Sequence, residues 1–365
     1  MEALGLSQSF GGCYAGRRVL VTGHTGFKGS WLVLWLQALG ADVAGLALDP
    51  DTQPSHWDLL GLHLAHDLRV DLRDGAGVND AVRKFQPEVV FHLAAQPLVR
   101  RGYREPVATF ATNITGLVNL FEAIRSCPSV QAVVNATTDK VYEPHFATHG
   151  YCESDPLGGH DPYSTSKACA ELISTCYRRS YFDRADCGVH LATARAGNVI
   201  GGGDWAEDRL VPDLVRAATS GQALRLRNPE ATRPWQHVLE PLSGYLTLGK
   251  ALLGQETVGG AWNFGPRSNE VLPVGDVVTR LQRHWPQLQV EFDDSPHPHE
   301  AATLALDCGK AARELAWRPV WEITTTLDRT AHWYRAFLDG GSVRSTDDLV
   351  AYVNDARVAG LGWAT

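Results

Sequence analysis

A tyrosine and a lysine four residues apart, in "YSTSK", are the first pair in this chain with types and spacing suited to chemistry. On a helix that interval puts Tyr163 and Lys167 on one face. A phenol beside an ammonium has its pKa pulled down, so its phenolate can accept an alcohol proton near neutral pH. A second pair stands in "NATTDKVYE", where Asp139 and Lys140 follow Thr138 at the end of an apolar run. An acid and a base side by side can be a solvated turn or two proton carriers. A third pattern, "VTGHTGFKGSW", spaces Gly23, Gly26 and Gly29 as G-x-x-G-x-x-G. Glycines allow a tight turn and close backbone approach to a pyrophosphate. The helix that opens behind them offers free N–H groups and a partial positive charge. Asp49 lies 20 residues beyond Gly29, where a carboxylate can accept hydrogen bonds from ribose hydroxyls. A 2'-phosphate would meet that carboxylate, so the expected cofactor is NAD rather than NADP. Thr25, Phe27 and Lys28 in the turn are further candidate cofactor contacts, with Asp71 and Leu72, Leu93, Ala94 and Ala95 in "HLAAQ", and Thr112.

The hydrophobic pattern supplies elements to position these residues. "RRVLVTG", "ADVAGLALD", "HDLRVDLRD", "PEVVFHLAAQ", "VQAVVNATTD" and "VHLATARAGNVIG" read as six strands. "SWLVLWLQALG", "GVNDAVRKFQ", "FATNITGLVNLFEAIRS" and "YSTSKACAELISTCYRRSY" read as helices between them. Such alternation predicts an α/β fold with a doubly wound parallel sheet covered on both faces. From about Gly203 the rhythm weakens into short helices and loops rich in Pro, Trp and Arg. The expected organisation is a lead-in at 1–16, a nucleotide-binding domain at 17–203 that carries the catalytic residues, and a smaller, mixed substrate-binding lid at 204–365 with some segments returning to the sheet.

The bulk numbers limit the partners. The 365 residues are 44% hydrophobic and 20% charged, as in an ordinary globular protein. A net charge of −8 disfavours a broad nucleic-acid surface but leaves room for a local basic pocket. No apolar run reaches the roughly 18 residues of a membrane span. The opening "MEALGLSQSFGGCYAG" lacks a signal-peptide pattern and reads as loosely held. Seven cysteines without C-x-x-C spacing predict no metal site, no disulfide framework and a reducing cytoplasm.

The glycine pattern, Thr138 and Tyr163-x-x-x-Lys167 resemble the extended short-chain dehydrogenase/reductase superfamily. More narrowly, "TGHTGFKGSW", "HLAAQPLVRRGYREP", "TTDKVYE", "DPLGGHDPYSTSKACAE", "RAGNVIGGGDWAEDRLVPD" and "RPWQHVLEPLSGYL" resemble the nucleotide-sugar epimerase/dehydratase family. Within it they are similar to the CDP-glucose 4,6-dehydratases, from about residue 17 to about 338.

The resemblance implies a Rossmann domain with a tightly held NAD, reduced and reoxidised within each turnover. The implied reaction turns CDP-D-glucose into CDP-4-keto-6-deoxy-D-glucose by oxidation at C4, loss of water across C5 and C6, and hydride return to C6. In it Tyr163 takes the 4-OH proton, Lys167 supports Tyr163 and holds the nicotinamide ribose, and Thr138 hydrogen-bonds the 4-oxygen. Asp139 is the acid at O6 and Lys140 occupies the base position. A lysine accepts a proton only when neutral, so Lys140 can be the C5 base or can position Asp139 or a water. Epimerases of the family need no acid at C6, and dTDP-glucose-type dehydratases usually carry Asp-Glu at this pair. Another nucleotide sugar, or 4-epimerisation, is the alternative.

A nucleotide sugar carries a diphosphate, which suits arginines. Arg209 and Arg233 are candidates, each with a solvated surface role as the alternative. His237, close to Arg233 in "RPWQHV", is a further candidate. By family position Asn198 contacts the diphosphate, and Gln96 and Arg100 are candidates for the sugar pocket. The family often reads "WGYRE" where this chain has "HGYCE" at 149–153, and Asn where it has Pro144; both bear on sugar preference. Two of the helices pair into a homodimer in the superfamily, although packing within one chain explains their apolar faces equally well.

Overall fold

The structure is a computed structural model that describes residues 5–144, 150–184, 186–254, 258–267, 270–293 and 304–365. His149 of the divergent "HGYCE" stretch lies outside them. Six strands lie within the apolar runs: β1 (Arg18–Thr22), β2 (Asp42–Ala47), β3 (His66–Arg69), β4 (Val89–His92), β5 (Ala132–Ala136) and β6 (His190–Ala196). A seventh, Gly260–Phe264, comes from the C-terminal half and pairs in parallel with β6. The spatial order is Gly260–Phe264, β6, β5, β4, β1, β2, β3. The order reverses between β1 and β4, and ligands of such sheets bind beyond the strand ends at that reversal. The register Thr22↔His92 sets the glycine turn after β1 beside Leu93 and Ala94.

Helices cover both faces because the strands are apolar on both. On one face Leu117, Leu120, Phe121 and Ile124 pack with Leu20, Val90 and Val133. They belong to the Pro106–Arg125 helix, which among the described residues is the one long and apolar enough to cross a membrane; here it covers the sheet. On the other face Val19, Val21, Phe91 and Val134 meet the Phe27–Ala38 and Leu239–Leu253 helices. Residues Trp31, Leu32, Val33, Leu34, Trp35 and Leu36 are all buried, so the Phe27–Ala38 helix is enclosed on every side.

Part of that enclosure corrects an expectation. Residues 5–16 are not loosely held. Leu6, Phe10 and Tyr14 are buried, Phe10 stacks on Trp363 at 5.1 Å, and the Tyr14 hydroxyl donates to Leu246 O at 2.6 Å. The outer face of an all-apolar helix needs a cover, and this segment and the Ser345–Val358 helix provide it. The run read as one sixth strand is also two pieces, β6 and Val199–Ile200, interrupted at Gly197 and Asn198. Three two-stranded ladders, Val199–Ile200 with Gln236–His237, Thr232–Arg233 with Leu272–Pro273, and Leu224–Leu226 with Val290–Phe292, build the opposing wall.

Candidate active site

A cavity of ≈ 800 Å³ runs along the carboxyl ends of the strands. At its floor the glycine turn folds tightly on itself. Gly23 has φ +76°, and a Cβ there would lie 2.7 Å from Ala94 N. A Cβ on Gly29 would run into the Gly23 carbonyl. The Phe27–Ala38 helix starts from Gly26 without a side-chain cap, so its first N–H groups stay available at the cavity. Gly23, Thr25, Gly26, Phe27, Lys28, Asp49, Asp71, Leu72, Leu93, Ala94, Ala95 and Thr112 all line the cavity. Bare backbone at an uncapped helix start and a carboxylate at the end of β2 fit a dinucleotide. Asp49 is well exposed, with Arg69 Nε 3.4 Å away.

Thr138, Asp139, Lys140, Tyr163 and Lys167 meet in the same cavity. Thr138 caps the short turn Asp139–Val141: its Oγ1 accepts from Lys140 N at 3.4 Å and donates to Asp139 Oδ1 at 3.0 Å. Asp139 is only 2% exposed, and its Oδ2 has no hydrogen-bond partner among the described residues. The strand break at Gly197 makes room for it, since a Cβ there would lie 2.8 Å from that oxygen. Lys140 is half-buried, and its ammonium makes no hydrogen bond or ion pair among the described residues.

The "HDPYSTSK" run explains where Tyr163 and Lys167 sit. Asp161 caps the Pro162–Tyr177 helix by accepting from Ser164 N at 3.0 Å, and Pro162 takes the first turn. Tyr163 is thereby fixed at the helix start, with Lys167 one turn on. Burial pushes the Tyr163 phenol up to about 12, against the expectation that Lys167 would lower it. Thr138 and Arg209 pull it back, while the charge of Asp139 raises it further. Lys167 Nζ donates to Ala136 O at 3.1 Å, and burial lowers its pKa to about 8. Lys28 is lowered further, to about 7, by burial first and then by the charges of Arg209 and Lys167.

The opposite wall comes from "GGGDWAEDRLVPD" and the "LRLRNPEATRPWQHV" run. A Cβ on Gly202 would collide with the Trp333 ring, so the glycines let the chain pass beneath large rings. Buried Asp204 then holds Arg209 at 2.9 Å. Asp208 pairs with Arg100 at 3.3 Å and Arg227 at 3.6 Å, joining the two walls. Arg100, Asn198, Arg209 and buried Arg233 line the cavity.

Gln96 and His237 do not line it. Gln96 is a buried clasp, donating to Thr109 Oγ1 at 2.9 Å and Leu98 O at 3.1 Å and accepting from Leu98 N. His237 is fully buried among Trp31 and Trp321, and its Nδ1 accepts from Leu239 N at 3.3 Å. Arg227 and Asp208 were missed. The alternation in "LRLRN", with Leu224 and Leu226 buried, was the available pointer to Arg227.

Residues 19–263 match the model of the NAD dependent epimerase/dehydratase family. A CDP-glucose 4,6-dehydratase of Salmonella typhimurium is 46% identical over 333 residues, covering 90% of this chain and 93% of that protein. Two solved structures superpose well. One is a UDP-glucose 4-epimerase of Thermus thermophilus in complex with NAD, with TM-score 0.74 and 27% identity over 87% of this chain and 99% of that one. The other is a dTDP-glucose 4,6-dehydratase of Streptomyces venezuelae with NAD bound, with TM-score 0.73 and 27% identity over 87% of this chain and 97% of that one. With its sheet order, its uncapped glycine turn and its Tyr163–Lys167 pair, the chain belongs to the NAD dependent epimerase/dehydratase family.

Proposed function

We propose that this protein catalyses the 4,6-dehydration of CDP-D-glucose to CDP-4-keto-6-deoxy-D-glucose with tightly bound NAD. The observation that carries this reading is Asp139, a buried carboxyl with one unpartnered oxygen beside Thr138, Tyr163 and Lys167. A 4-epimerase needs oxidation and reduction at C4 only; elimination across C5 and C6 also needs an acid at the departing oxygen. The 46% identity to the Salmonella typhimurium enzyme supports CDP-glucose as the substrate.

Held by the Gly23–Gly29 turn with Asp49 toward its ribose, NAD would supply the acceptor for the C4 hydride and its donor to C6. The residues do the proton work. Tyr163 accepts the O4 proton as its phenolate, the form that the Thr138 hydrogen bond and the Arg209 charge favour against burial, with Lys167 one turn on to support it. Lys140 takes the C5 proton, which the 4-keto group has made acidic. Asp139 gives a proton to O6, water leaves, and Lys140 returns its proton to C5. The proton that Tyr163 took from O4 balances the one Asp139 gave up. Arg100, Arg209, Arg227 and Arg233 hold the diphosphate. If Lys140→Ala still exchanged the C5 hydrogen with solvent deuterium at the wild-type rate, its role as base would be lost.

Incubation with CDP-glucose and NAD tests the whole reading. A 4-keto-6-deoxy product is expected. A C4-inverted sugar that keeps its 6-OH would point to epimerisation, and a product only from dTDP- or GDP-sugars would move the substrate. A homodimer formed through the Pro106–Arg125 and Pro162–Tyr177 helices would cover their exposed Val107 and Leu172. A monomeric mass at micromolar concentration would overturn the dimer. Seven free cysteines suit a reducing cytoplasm.

A further inference from the structure

One buried ion pair grips the catalytic turn at both ends. Glu171 and Arg195 are 2% and 3% exposed, and Arg195 Nη2 lies 3.0 Å from Glu171 Oε2. Glu171 follows Lys167 by one turn on the Pro162–Tyr177 helix, and Arg195 stands in β6. Just before the turn, Thr137 donates from Oγ1 to Glu171 Oε1 at 2.5 Å. Just after it, the Tyr142 hydroxyl accepts from Arg195 Nη1 at 2.9 Å and donates to Asn263 Oδ1 at 2.6 Å. The Tyr142 ring also lies under the Arg195 guanidinium at 4.8 Å. Thr193 supplies a further hydrogen bond to Glu171 Oε2 at 2.7 Å.

None of Glu171, Arg195 and Tyr142 lines the cavity, so they are not placed to touch substrate. Stability alone is a weak reason for such a pair. Two buried charges lose their hydration, and apolar residues of similar volume often serve a fold as well. What the pair does have is a hold on Thr137 and Tyr142, the residues that flank Thr138, Asp139, Lys140 and Val141. Its Glu171 also shares a helix with Tyr163 and Lys167. It therefore links the two halves of the site, the helix that handles O4 and the turn that handles O6.

We propose that Glu171 and Arg195 are positioning residues that hold the Asp139 carboxyl in register with Tyr163 and Lys167, so that elimination follows oxidation of the same bound sugar. The role rests on the dehydration proposed above. Glu171 has a second, electrostatic effect in the same direction, because its charge raises Lys167 against the lowering by burial. Lys28 and His92 also feel the Lys167 charge.

The test is Glu171→Gln in the NAD-loaded full chain, with CDP-glucose as the probe. The expected result is a fall in kcat of about 10- to 100-fold, as for a misplacement of about 1 Å, with KM changed less than about threefold. Solvent deuterium uptake at C5 should fall more than oxidation at C4 in a single turnover. The alkaline limb of the kcat profile should move to lower pH, because Lys167 loses the charge that raised it. Glu171→Asp keeps the charge and shortens the reach, so it should restore the limb without restoring kcat. If Glu171→Gln does not fold, Thr137→Val removes one grip and keeps the ion pair; the same bias against the C5 step is expected, smaller in size. Equal losses in both steps with an unmoved pH limb would overturn the positioning role, as would an unchanged kcat. A wild type that turns over no nucleotide sugar would overturn the proposed function and this role together; an active wild type with an unaffected variant overturns this role alone.

Discussion

A buried carboxyl oxygen without a partner costs roughly 1–3 kcal/mol, and Asp139 carries one in the space that Gly197 leaves open. Asp139→Asn is expected to lower dehydration by about 10²–10⁴-fold, the usual worth of a positioned acid, while C4 oxidation persists. Gly197→Ala should act through the same atom. Its Cβ would press on Oδ2 at 2.8 Å and on Pro234 Cγ at 2.6 Å, so kcat should fall about 10²-fold with the acid still present. Assay of both variants for C4 oxidation and for product separates the two steps. Lys28 and Lys167, lowered to about 7 and about 8, make the cavity less cationic as pH rises. KM for an anionic nucleotide sugar is therefore expected to climb from about pH 6 to about pH 9, and Lys28→Met should flatten the climb. A flat wild-type profile would remove Lys28 from substrate attraction. Local spacing made Tyr163, Lys167, Thr138 and Asp139 legible in the sequence, because each motif carries its own geometry. Burial was not legible there, and it is burial that raises Tyr163. Gln96 and His237 misled because a polar residue near a strand end can be satisfied by neighbouring backbone. Arg227 escaped because its partner, Asp208, is brought to it only by the tertiary fold.

At the scale of elements, Glu240 in the Leu239–Leu253 helix does for a loop what a cap does for a helix end. It is buried and accepts from Val320 N at 3.0 Å, Trp321 N at 2.7 Å and the Tyr352 hydroxyl at 2.7 Å. Burial raises its carboxyl to about 7. A carboxyl raised above its unfolded value, near 4.3, stabilises the fold fully below that value. This contribution is lost as pH rises through about 7. Asp348, on the Ser345–Val358 helix, is also raised to about 7 by burial and adds a slope of the same sign. The thermal midpoint should therefore carry a downward component between about pH 4.5 and pH 7.5, and Glu240→Gln should make the curve shallower. An unchanged slope in that variant would assign the pH dependence elsewhere. The alternation of strands and helices up to β6 was readable because each apolar run is bounded by turn residues. The strand Gly260–Phe264 was not, since five residues without clear alternation look like any short apolar run. The break after β6 was hidden for a different reason: Gly197 answers to Asp139, which is remote in sequence.

For the molecule as a whole, the two ends of the described chain meet. Phe10 is fully buried, stacked on Trp363 and edge-on to Trp35 at 5.8 Å. Ser9 Oγ donates to Ala364 O at 3.2 Å, and Arg357 Nη2 to Gly5 O at 3.1 Å. Phe10→Ala is expected to cost about 3–5 kcal/mol, the range for truncating a buried aromatic ring. Chemical denaturation of both proteins checks it, and a loss under about 1 kcal/mol would mean that the segment closes over the gap. Sequence alone assigned residues 1–16 to a loose lead-in because their cover lies at the opposite end of the chain, and no local pattern reports so distant a partner. The closure also has a mechanical consequence. A pull on the chain between its two ends loads the Phe10–Trp363 contact before any strand of the sheet. In an optical trap the first rip should release both terminal segments together, and replacing either ring should lower the force of that event alone.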